Sequence, residues 1–178
     1  MENQNNNSQN MITKESIFIA LMILMEKKNL SEISITEITN KAGVSRMAYY
    51  RNYKFKEDII INYLDDLFRE YVNEILSNEK PDKFRNACLY FAYFRKHEKL
   101  IINLIKSNLS HLILDRFDRY LYFLFQNIVS DKVYSLKVEK YVIEYISGGL
   151  YKILITWVKS GMKESDEYMA KLICDITI

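Results

Sequence analysis

The stretch from Ser34 to Lys56 reads SITEITNKAGVSRMAYYRNYKFK. Ser34-Ile35-Thr36-Glu37 fits the S-x-x-E capping box, in which the serine oxygen accepts from the backbone N–H three residues on and the glutamate reaches back. A helix begins there. Ile35, Ile38 and Ala42 supply apolar contacts until Gly43 breaks the chain, and Ser45 is placed to cap a second short helix. The result is helix, tight turn, helix.

At 100° per residue the second helix places Tyr49 and Tyr53 on one face with Ser45, packing towards Val44. Met47, Ala48, Tyr50 and Arg51 point broadly away, and Arg46 lies on the flank of the first turn. From Lys41 to Lys56 the charges are Lys41, Arg46, Arg51, Lys54 and Lys56, with no Asp or Glu between them. Arginine pairs bidentately with guanine O6 and N7, while hydroxyls and helix N-terminal N–H groups suit phosphate oxygens. On this pattern alone a DNA reader and a plain helical hairpin with a solvated basic face are equally open.

The rest of the chain narrows the field. Of 178 residues, 49% are hydrophobic and 13% aromatic, enough for a sizeable, bulky core, while four glycines and one proline are too few for a many-turned β-sandwich or barrel. The net charge of +2 declares no partner by itself, so the basic patch is local. Cys88 and Cys174 lack C-x-x-C or histidine spacing and read as buried, reduced thiols of a cytoplasmic protein. The polar MENQNNNSQN lacks an apolar core and reads as a disordered arm over residues 1–10. Val142 to Val158 is the most apolar run, but Glu144, Lys152 and Gly148-Gly149 interrupt a stretch shorter than the ~20 residues a membrane span needs, so no membrane partner is expected.

Helical periodicity predicts an all-α chain of about nine helices. The first spans Thr13 to Lys28 with Thr13 as cap, two short helices lie within the opening stretch, and a longer one runs from Lys56 to about Ser77. Ser77 to Asp82, with Pro81, is the clearest boundary. Further helices follow at Pro81 to Phe94, His97 to Lys106, His111 to Ile128, Leu136 to Lys159 and Asp166 to Ile176. Gly161 falls where a C-terminal cap is needed. Each mid-helix glycine of Gly148-Gly149 costs ~1 kcal/mol relative to alanine, so a helix, a ligand or a local kink is expected there.

The opening stretch resembles the DNA-binding segment of TetR-family transcriptional regulators: a hydroxyl-led short helix, Ala42-Gly43-Val44-Ser45, the pair Tyr49-Tyr50, the aromatic Tyr53 and Lys56-Glu57 stand in register. The resemblance covers about Thr13 to Ile60. It implies a helix-turn-helix domain over residues 11–58, with the motif at 34–53, and a regulatory and dimerisation domain over 59–178. It also implies that Ser34, Ser45, Tyr50 and Lys56 touch phosphate and that Thr36, Arg46 and Met47 read bases; Ala48, Arg51 and Asn52 complete the face towards double-stranded DNA. Ala48 stands where the family commonly has threonine, Thr39 where a small apolar residue is usual, and Phe55 where a capping Ser or Asn is usual.

Tyr145-Ile-Ser-Gly-Gly-Leu-Tyr through Trp157-Val-Lys-Ser-Gly161, with Asp166 to Leu172, is similar to a subgroup that includes the dihydroxyacetone-kinase regulators. There the last two helices, about 136–160 and 166–176 here, pair with their copies in a homodimer. The implied function is a repressor released from a pseudo-palindromic operator by an unknown small-molecule effector, with a partner-dependent coactivator as the alternative. Phe91, Phe94, His97, Tyr122, Tyr145 and Trp157 are the candidate effector lining; ordinary core is the stronger reading for any one of them. No cofactor is implied and no metal spacing, G-x-S-x-G or Gly-rich phosphate loop supports an enzyme.

Overall fold

The computed structural model describes residues 2–77, 82–127 and 135–176. Among them are nine α-helices: α1 (Glu2–Met25), α2 (Ile35–Ala42), α3 (Arg46–Asn52), α4 (Glu57–Leu76), α5 (Lys83–Lys96), α6 (Glu98–Lys106), α7 (His111–Asn127), α8 (Leu136–Lys159) and α9 (Asp166–Ile176), with a 3-10 turn at Leu30–Glu32. The expected Pro81 boundary and Ile128 lie outside the described residues.

The first helix corrects the sequence reading. It begins at Glu2, so much of the expected disordered arm over 1–10 is helical, and Thr13 is not its cap. The Thr13 hydroxyl donates instead to Gln9 O at 2.9 Å, one turn back along a continuous helix. The apolar stripe is where periodicity placed it, with Ile17, Ala20, Leu21 and Met25 buried.

Ile17, Leu21 and Met25 share one core with Ile38, Tyr49, Tyr53, Ile59 and Ile60, and that core runs on through Leu64 and Phe68 of α4 into the second half of the chain. Helix α4 therefore joins the small N-terminal unit to the larger one, packing on α1, α5 and α7. In the larger unit α5 lies against α9 and α7 against α8. Phe68 contacts Phe94, Phe117 and Tyr120, with ring centroids 5.0–6.0 Å apart.

Arg95 locks the α8–α9 corner. Its guanidinium donates to Asp166 Oδ1 at 2.8 Å, Met162 O at 3.0 Å and Glu164 O at 2.6 Å, and lies over the Trp157 ring. Gly161, at φ +82°, ends α8 as expected. Among the described residues outside the helix's own nearby backbone, nothing lies within 4 Å of a Cβ added at Gly148 or Gly149, so none of them makes the close approach expected there. Cys88 and Cys174 are half-buried rather than buried. Among the described residues no helix is long and apolar enough to cross a membrane.

Candidate nucleic-acid interface

The capping box forms as spelled out in the sequence. Glu37 N–H donates to Ser34 Oγ at 3.2 Å, while Ser34 N–H and Oγ–H donate to Glu37 Oε2 at 2.9 and 2.8 Å. Lys28 donates to the other carboxylate oxygen. Hydrogen bonds from Lys28 and Ser34 hold the Glu37 carboxyl down at about 2. Helix α2 stops at Gly43, whose φ of +66° lies in the left-handed region that favours glycine. Ser45 Oγ then accepts from Ala48 N–H at 3.1 Å and starts α3.

Helix α3 sorts its tyrosines as rotation predicts. Tyr49 and Tyr53 are buried and Tyr50 is 52% exposed. Burial first, then nearby acids, pushes the Tyr49 phenol up to about 12; burial likewise raises Tyr53 to about 12. Arg46, Met47 and Arg51 are exposed beside Tyr50, and Thr36 is exposed on α2. Ala48 and Asn52 are half-buried, and the Asn52 amide donates to Ala48 O at 2.9 Å, which directs its nitrogen to the helix backbone. Thr39, buried, satisfies its hydroxyl on Thr36 O at 3.2 Å and so fills an apolar position without an orphaned donor.

Two expected phosphate donors are committed elsewhere. Both Ser34 donors go to Glu37, and Lys56 Nζ donates to Leu30 O at 2.6 Å and Ile33 O at 2.7 Å, with Ser31 O at 3.4 Å. The capping residue that Phe55 displaces is replaced from inside α4: Asp58 Oδ2 accepts from Lys54 N–H at 2.8 Å and Phe55 N–H at 2.7 Å. That aspartate went unremarked as a cap in the sequence, although its place three residues after Phe55 was the available signal. A second missed group is Asn103, buried on α6, whose amide donates to Met22 O of α1 at 3.2 Å. Ser107, the C-cap of α6, accepts at Oγ from Leu30 N–H at 3.3 Å, so α6 and its cap touch both α1 and the turn that leads into α2.

The candidate effector residues do not form one set. Phe91, Phe94 and Trp157 are buried in the common core, Phe91 and Trp157 meeting edge to face at 5.1 Å. His97 Nδ1 lies 3.1 Å from the Tyr63 hydroxyl, and burial, then Lys96, lowers its pKa. Tyr122 is half-buried. Tyr145 is 69% exposed, which removes it from any internal lining: Ile143 and Ser147 hold the inward face of α8 and leave Tyr145 on the other.

Three likenesses accompany this geometry. Residues 86–178, just over half of the chain, match a TetR-type family model described as "Transcriptional regulator C-terminal region". A stretch of 129 residues, 68% of this chain, is 26% identical to "Uncharacterized HTH-type transcriptional regulator YerO" of Bacillus subtilis (strain 168). The match spans 44% of that relative's length, less than half. The fold is shared with "Dihydroxyacetone kinase operon activator DhaS", at a TM-score of 0.63 over 93% of this chain and 94% of that one, with 18% identity.

Proposed function

The chain belongs to the TetR family of transcriptional regulators, and from that premise we propose that it is a homodimeric repressor of a pseudo-palindromic operator, released by a small-molecule effector. The observation that carries the DNA-binding part is the outward face of α3, where Arg46, Met47, Tyr50 and Arg51 stand exposed beyond a capped N-terminus. The Arg46 fork there suits guanine edges, and the Arg51 guanidinium with the Tyr50 and Ser45 hydroxyls suits phosphate oxygens. In a homodimer two such helices reach successive major grooves when held about 34–36 Å apart. Exposed Tyr141 and Tyr145 on α8, near the open Gly148-Gly149, and exposed Tyr168 and Leu172 on α9 support pairing through these helices. The working compartment is then the cytoplasm, where the operator is.

The effector acts, on this reading, by favouring a state with differently spaced heads, which lowers operator affinity by population shift. Selection of bound DNA from a random double-stranded pool tests the proposal. The expected product is a salt-sensitive, two-fold symmetric site with half-sites about 10–10.5 base pairs apart, or a multiple. No enrichment over random DNA would sink it, and a reporter driven by the selected site gives the sign of regulation.

A further inference from the structure

Lys56 stands at the N-cap of α4, where the family resemblance implies a phosphate contact, yet its ammonium is turned into the protein. Leu30 O, Ile33 O and Ser31 O lie 2.6, 2.7 and 3.4 Å from Nζ. An ammonium has three donors and accepts nothing, so these carbonyls exhaust it. Leu30 and Ile33 are themselves 2% and 1% exposed, and they flank the short turn between α1 and α2. Leu30 O also accepts from Ile33 N–H at 3.2 Å, so withdrawing the amine towards a phosphate would leave it that bond but would take the charged donor from Ile33 O, and losing a charged hydrogen bond at a part-buried carbonyl is costly.

The position of the contact matters more than its strength. Ile33 immediately precedes the Ser34 cap of α2, and Lys56 immediately precedes α4. One side chain thereby ties together the two ends of the segment that contains α2 and α3. We infer that Lys56 is an internal strut of the DNA-reading head, a positioning residue that fixes how α2 and α3 leave the body of the protein, and not a phosphate ligand. Ser34 fits the same division of labour, since its N–H and hydroxyl proton are both given to Glu37. Phosphate contact is left to the α3 side, to Ser45, Tyr50 and Arg51, with Arg46 kept for the bases. This inference rests on the DNA-binding reading for one of its readouts only.

The test compares Lys56→Met, which keeps the apolar stem and removes the donors, with Arg51→Gln in the full chain on the selected operator. A lost phosphate contact lowers the slope of log affinity against log salt by about one, and that is the expected result for Arg51→Gln. For Lys56→Met the slope stays at the wild-type value, while affinity falls several-fold at every salt concentration and Tm drops. A slope reduced by about one in Lys56→Met overturns the inference, and so do an unchanged affinity and Tm. The unmodified protein gives an independent readout by ¹H–¹⁵N NMR of lysine ammonium groups. A resolved, slowly exchanging Lys56 signal is expected without DNA and unchanged with it; a signal averaged with the surface lysines, or shifted by DNA as a contact would be, overturns the strut. If the wild-type chain prefers no DNA sequence, the operator proposal fails, and the ammonium signal and Tm still judge the strut.

Discussion

Tyr49 and Tyr50 are neighbours with opposite tasks, and their hydroxyls make the difference measurable. The Tyr49 ring is fully buried, and its hydroxyl has no hydrogen-bond partner among the described residues. A buried hydroxyl left unmet costs roughly 1–3 kcal/mol. Tyr49→Phe is therefore expected to leave DNA affinity unchanged and to be neutral or stabilising by about 1 kcal/mol in chemical denaturation. Tyr50 is half exposed, its ring edge-on to Tyr49 at 5.3 Å, and Tyr50→Phe should do the reverse: stability unchanged, operator binding weaker by about 1 kcal/mol, the size of one net hydrogen bond. Clear destabilisation by Tyr49→Phe would mean that the buried hydroxyl has a partner, and the sorting of the two tyrosines would lose its energetic basis.

At the scale of elements, the junction between α3 and α4 is held by side chains reaching backwards. The N-cap position, Lys56, makes no side-chain cap, and Asp58 in the first turn takes the N–H groups of Lys54 and Phe55 instead. Asp58→Ala should destabilise the protein by about 1 kcal/mol, the usual worth of a cap, and Asp58→Asn by less, because it keeps an acceptor oxygen and loses only the charge that favours a helix N-terminus. Equilibrium urea unfolding of the two variants decides it; equal losses would assign the effect to charge alone. The same junction shows which features the sequence carries on its face. The capping box at Ser34, the left-handed break at Gly43 and the limits of α8 and α9 were legible because each depends on residues within one or two turns. The partners of Lys56 were not legible, because the carbonyls that hold it lie 23–26 residues upstream, a distance no local pattern spans. Tyr145 was misplaced for a related reason: helical spacing groups residues on a face but does not say whether that face meets the core or the outside.

For the whole molecule, the proposed homodimer turns on what would set the distance between two reading heads. The outward face of α8 carries Val138, Tyr141, Tyr145 and Gly149 at near-regular helical intervals, and α9 adds Tyr168, Leu172 and Ile176, all exposed in the single chain. Exposed aromatic and aliphatic groups repeated along two successive helices suit an isologous interface, in which each copy presents the same residues. Arg95 makes the corner between those helices rigid by binding Met162, Glu164 and Asp166 together, so a dimer formed there has a defined geometry to hand on through α5 and α4. Tyr145→Glu places two like charges into the proposed interface while leaving the core and α3 untouched. Sedimentation should show wild-type protein near twice the 21.3 kDa chain mass and the variant near that of one chain. Affinity for the full operator should fall by at least an order of magnitude, because two heads joined in one particle bind with an effective concentration that separate chains lack. Affinity for an isolated half-site should hold, since the face of α3 is unchanged. A variant that stays dimeric and keeps its operator affinity would move the interface off α8, and the spacing of the heads would then have to be set by another surface.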